Sequence, residues 1–145
     1  MRASRIQRIA AALLLVLILA GCKPARPAFV DEGRRYNQTT ALQLIGKVGG
    51  SGLAKVPVAE AAKRRHEALV ALRSRGKQAA EAAKLITEVF PNDTAAVPYY
   101  VEIASYEGTS AIVVLEAVGP KGGMLSDNRT WVVSRSGEVL ITGTR

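Results

Sequence analysis

The sequence predicts an α+β domain, and three observations carry that fold class. Between residues 36 and 90, apolar residues recur at helical spacing. From residue 97 the period falls to two, in segments rich in Val, Ile, Tyr and Thr. Gly-containing turn signals then separate those segments from one another. Helices first and strands afterwards predict two or three N-terminal helices packed on one face of a four-stranded antiparallel meander.

The first element lies outside this domain. Residues 1–8 carry Arg2, Arg5 and Arg8 and no acid, and residues 9–20 are an unbroken Ile/Ala/Leu/Val run. Twelve helical residues span about 18 Å, short of the roughly 30 Å hydrocarbon core, so the run fits the apolar part of a cleaved signal rather than a membrane span. It closes on Leu19-Ala20-Gly21-Cys22, and Cys22 is the only cysteine of the chain. Leu-small-Gly-Cys in this position resembles the lipobox of bacterial lipoproteins. The resemblance covers the leader alone. It implies cleavage between Gly21 and Cys22, a diacylglycerol and further acylation on Cys22, and residence at a membrane outside the cytoplasm. Lys23 after the cysteine, rather than Asp, implies an outer membrane facing the periplasm, or the outer face of the plasma membrane in a single-membrane envelope. Two or three acyl chains on one residue hold a protein far more firmly than the marginal binding of one, each buried methylene being worth about 0.8 kcal/mol.

Residues 22–35 contain Pro24 and Pro27, several charges and little apolar periodicity, and are expected to be a tether. The domain is expected over residues 36–145. A short helix is predicted over 36–48, with Leu42 and Ile45 spaced i,i+3, Asn37 or Thr39 as N-cap, and Gly49-Gly50-Ser51-Gly52 as its end. A second is predicted over 57–75, starting at Pro57, with Val58, Ala62, Leu69 and Leu72 on its apolar stripe and Lys63-Arg64-Arg65 largely on the other face. Residues 77–90 continue with Ala79, Ala83, Ile86 and Phe90 on one stripe before Pro91. Gly76 either separates two helices or bends one; a lone Gly costs about 1 kcal/mol inside a helix, too little to decide.

Strands are predicted at 99–106, 110–118, 129–134 and 138–142, with tight turns at Glu107-Gly108 and Arg135-Ser136-Gly137 and a wider loop over 119–128. This order of elements is similar to the cystatin-like and nuclear-transport-factor-like folds. The similarity is topological, without a diagnostic motif, and implies helices packed into a curved antiparallel sheet, in some members around a small-ligand cavity.

Removal of 21 leader residues from 145 leaves 124, enough for one domain with a modest core. The mature part has 17 Lys/Arg against 12 Asp/Glu, a net +5, unevenly placed: residues 23–84 are net +8 and residues 85–145 net −3. An exported, lipidated chain argues against nucleic acid as the partner of this charge. Lys63, Arg64 and Arg65 are the candidate residues for anionic headgroups; the other reading is a solvated helix face that keeps the protein soluble.

No reactive constellation emerges. His66 is the only histidine and sits among cations, so neither a zinc site nor a Cys–His pair can be assembled from nitrogen and sulfur ligands; no metal or cofactor is expected. Ser51 lies between glycines without strand-then-helix flanks, and no P-loop is present. Residues 119–123 could cradle an anion or simply turn the chain. Glu102, Glu107, Glu116 and Glu138 are the acids a hydrolase would have to bring together. Tyr99, Tyr100, Tyr106 and Trp131 could form a stacking surface, although alternation places Tyr99 opposite Tyr100 and Tyr106. Asn-x-Thr triplets at Asn37, Asn92 and Asn128 are coincidental in a lipoprotein. The expected function is therefore non-enzymatic: an envelope lipoprotein that binds another protein or supports an assembly. The alternatives are a small-ligand module with a helix/sheet cavity and a carboxylate-dependent hydrolase.

Overall fold

Five strands form a single sheet in the order β1-β2-β3-β4-β5, in a computed structural model that describes residues 25–90 and 95–145. The lipobox, with Gly21 and Cys22, and the triplet at Asn92 lie outside the described residues. The strands are β1 (Ala28–Tyr36), β2 (Val97–Tyr106), β3 (Thr109–Val118), β4 (Asp127–Ser134) and β5 (Val139–Thr144). The helices are α1 (Gln38–Leu42), α2 (Leu44–Val48), α3 (Ala61–Arg73) and α4 (Lys77–Val89), with a 3-10 turn at Val58–Glu60 leading into α3.

This architecture corrects the expected one in two respects. The sheet is mixed and five-stranded, because β1 pairs in parallel with β2 (Ala28 beside Tyr100, Tyr36 beside Tyr106) while β2 to β5 are antiparallel. The helices also divide between its two faces. Leu69, Leu72, Ala82, Ala83 and Ile86 of α3 and α4 pack on Val101, Ile112, Val114 and Val133. Ala41, Leu44 and Ile45 of α1 and α2 pack on Tyr100, Ala104, Val113, Leu115 and Val132, the alternate residues of the same strands. The single-faced meander implied by the cystatin-like and nuclear-transport-factor-like similarity is not what forms.

The physical reason is readable in β3. Residues 111–117, Ala-Ile-Val-Val-Leu-Glu-Ala, are all buried. A strand wetted on one face alternates; a continuous apolar run demands cover on both. β1 is hard to read because only Ala28, Phe29, Val30 and Tyr36 carry an apolar signal, interrupted by Gly33 and the four charges Asp31, Glu32, Arg34 and Arg35. Between Asp31 and Arg34 the register slips and Gly33 adopts φ 64°, a bulge on an exposed edge, where charges and kinks discourage further pairing.

Local signals set the other boundaries. The Asn37 side chain accepts from Thr40 N, and the Thr40 hydroxyl accepts from Asn37 N, a reciprocal cap at 2.9 Å each that starts α1. Gly76, at φ 105°, separates α3 from α4, which pack against one another. Glu107 (φ 48°) and Gly108 (φ 83°) make the tight β2–β3 turn with both central residues at positive φ.

Candidate functional site

Two carboxylates, Glu102 and Glu116, are completely buried, and they lie on opposite faces of the sheet. Each is the centre of a polar cluster.

Glu116 of β3 faces α3. One oxygen accepts from Arg65 Nη1 at 3.1 Å; the other accepts from Arg129 Nη2 at 2.8 Å and Trp131 Nε1 at 2.9 Å. Arg65 also donates to the carbonyls of Phe90 and Ala96, both at 3.2 Å, so one guanidinium ties α3 to the end of α4, the start of β2 and the last residues of β3. Arg129 lies 4.8 Å over the Trp131 ring, which packs on Phe90 at 4.4 Å between centroids. Burial pushes the Glu116 carboxyl up from its ordinary value, while Arg65 and Trp131 pull it back. Burial and the neighbouring Arg65 charge lower Arg129. Fully buried, and with both oxygens engaged by two guanidinium groups and an indole, Glu116 ties the elements around it together.

Glu102 of β2 faces α1 and α2. Its Oε2 accepts from Tyr100 at 2.7 Å and Tyr36 at 2.9 Å, and its Oε1 lies 3.7 Å from Arg34 Nε. Arg34 is also paired with Glu32. Beside it opens a surface cleft of about 520 Å³ lined by Arg34, Arg35, Tyr36, Thr40, Lys47 and neighbours.

The tyrosines make a test of this packing. Burial raises Tyr99 to about 12; burial first, then the bond to Glu102, raises Tyr100 and Tyr36; burial and then Glu107 raise Tyr106. These are all four tyrosines of the chain. In the unfolded chain phenols ionise near about 10, so folding resists their ionisation. That contribution to stability is complete below about pH 10; for Tyr99 it is lost as pH climbs through about 12, and for the other three it is lost above their ordinary value. Phenolate absorbance is therefore expected to stay low in the folded protein at pH 10 and to rise together with loss of far-ultraviolet circular dichroism. A titration centred near 10 with the dichroism intact would contradict the burial of these side chains.

The remaining residues singled out from sequence are dispersed. Lys63 and His66 are exposed on α3, but Arg64 and Arg65 are buried. Arg64 bridges Glu60 and Glu67, each at 3.6 Å. The expected stripe of Val58, Ala62, Leu69 and Leu72 leaves Lys63, Arg64 and Arg65 largely on the other face, and its error is at Ala62. The buried positions are Ala61, Arg64, Arg65, Ala68, Leu69 and Leu72, and Ala62 is exposed. Ser51 Oγ accepts from Leu53 N at 3.0 Å and serves its own loop. Glu107 and Glu138 are exposed near separate turns, so the four acids do not converge. Trp131 is half-buried against the core, and Tyr99 sits at a register slip between Pro98 and Tyr100, outside simple alternation. The loop over 119–123 is held by the chain itself: Gly123 N donates to Pro120 O, and Gly123 O accepts from Val58 N, each at 2.9 Å.

Among the described residues, no group of three or more His, Cys, Asp or Glu side chains is placed to hold a metal ion, and no helix is long and apolar enough to cross a membrane. No protein-family model, no curated protein and no solved structure matches the chain.

Proposed function

We propose that the protein is a bacterial envelope lipoprotein, held at a membrane by acylated Cys22, whose domain is a non-enzymatic protein-binding or structural module. The observation that carries the anchor is Leu19-Ala20-Gly21-Cys22, with the only cysteine of the chain closing a short apolar run. The domain part of the reading is supported by the two buried carboxylates. They sit on opposite sheet faces, and each is engaged by its own neighbours, which leaves no pair for acid–base chemistry.

Radiolabelled palmitate should enter the wild type and not Cys22→Ser, and the variant should leave the membrane fraction on cell lysis. Label in both forms, or a wild type that stays soluble, would overturn the anchor. For the domain, crosslinking in intact cells should give one discrete adduct with another envelope protein. Recovery of lipid and bulk envelope proteins alone would count against protein binding.

One observation favours a second reading, a small-ligand module. A surface cleft of about 440 Å³ is lined by Ala25 to Ala28, Gly50 to Leu53, Pro98 and Tyr99, and the buried Tyr99 hydroxyl has no hydrogen-bond partner among the described residues. Polar groups left so are ones a ligand could satisfy. Tyr99→Phe would weaken binding of such a ligand and leave an assembly role untouched.

A further inference from the structure

We propose that the outward face of α3, together with Arg26, is the surface the domain lays against an anionic phospholipid bilayer; this rests on the lipid anchor at Cys22. The first argument is the place where the chain enters. Ala25 N donates to Glu67 Oε2 of α3 at 3.4 Å, which pins the start of the domain to this helix. Cys22 precedes Ala25 by three residues, a reach of about 10 Å at full extension. Acyl chains on that sulfur would bring the bilayer surface to α3 and keep α1 and α2, across the sheet, farther away.

Charge is the second argument. Lys63, Val70 and Arg73 share one exposed stripe of α3, Arg75 and Lys77 are exposed just beyond its end, and Arg26 is exposed beside it. The two acids nearest this face, Glu60 and Glu67, are both turned to the buried Arg64. Val70, 48% exposed, is one of three large exposed hydrophobics among the described residues and stands among these cations, the arrangement of an interfacial helix face. A shallow cleft of about 470 Å³ runs alongside, lined by Arg26, Val70, Ser74 and Arg75 with Glu67 and Ala71. The basic contribution predicted from Lys63-Arg64-Arg65 therefore moves: Lys63 stays, while two buried arginines give way to cations at the helix end.

The test uses the full protein extracted from membranes and reconstituted in vesicles, with Val70→Cys carrying an environment-sensitive fluorophore. Acylated Cys22 takes no label, so the introduced thiol is the single site. A Gln43→Cys protein, labelled at an exposed position on the opposite side of the sheet, serves as reference. In vesicles containing phosphatidylglycerol, position 70 should be several-fold less accessible to acrylamide than in pure phosphatidylcholine, with position 43 unchanged. Each of Arg73→Gln, Arg75→Gln and Lys77→Gln should shift the ratio of membrane-facing to free orientations about fivefold, the equivalent of ~1 kcal/mol per near-surface cation. Equal accessibility of position 70 in both lipids, in protein that remains with the vesicles, overturns the face. Protein that stays in the aqueous phase, or fluorophore entering Cys22, overturns the anchor instead.

Discussion

Glu116→Ala is expected to destabilise the domain by about 3–5 kcal/mol, the cost of leaving buried charge without its counter-ion. The side chain is fully buried and its two guanidinium partners are not equivalent. Arg129 is 21% exposed and can turn toward water, whereas Arg65, at 9%, cannot. The loss therefore falls mainly on Arg65, which also supports the carbonyls of Phe90 and Ala96. Since domains of this size are stable by only about 5–15 kcal/mol, the variant sits near the threshold of folding. A second variant makes the test decisive. Glu116→Leu combined with Arg65→Met removes both charges at once, and such replacements are often neutral or better. Denaturant midpoints should place this pair above Glu116→Ala but below wild type, because the two carbonyls still lose their donor. If Glu116→Ala unfolds at the wild-type midpoint, the cluster does not hold the sheet to α3.

Gly119→Ala is the second large effect, about 2–3 kcal/mol, as overpacking against backbone generally costs. A Cβ at this position would lie 1.8 Å from Met124 O and 3.0 Å from Val58 Cγ2. The carbonyl belongs to a loop that bonds back to the entry of α3, through Leu125 N to Val56 O at 2.9 Å, and buries Leu125 with Ala61, Ala68, Val97 and Ala117. Opening the loop therefore disturbs helix and sheet together. Gly122 offers the comparison: it has φ 77° but nothing within 4 Å of an added Cβ. Gly122→Ala should cost only the left-handed backbone penalty, about 1–2 kcal/mol. Thermal midpoints that place Gly122→Ala below Gly119→Ala would show that the close approach to Met124 is not what demands glycine.

What the sequence made legible follows from the kind of signal each element carries. The α4 stripe, with Ala79, Ala83, Ile86 and Phe90 all buried, is a pure periodicity and is read directly. Turn glycines and the Asn37 cap are set by local backbone needs and are equally direct. Four features depend on distant residues and were misjudged or missed. Arg65 looks solvent-bound until Glu116, fifty-one residues away, is known to face it. The strand character of residues 28–36 comes from pairing with β2, since most of its side chains are exposed. The two-faced sheet could have been suspected from the unbroken apolar run of β3, where a strict alternation was assumed. In the Glu102 cluster Tyr100 is local, two residues away on the same strand, whereas Tyr36 arrives from β1, sixty-six residues away.

The parallel pairing of the first strand with the second also orders events during synthesis. Ala28 must wait for Tyr100, and Tyr36 for Tyr106, so the earliest strand to emerge is among the last to find its place. Contacts this far apart in sequence close slowly, after the hairpins have formed. For that interval the unpaired first strand and the open edge of β2 are exposed to other nascent chains. The charges crowded into residues 31–35 then act as a guard on the immature polypeptide as well as on the finished edge.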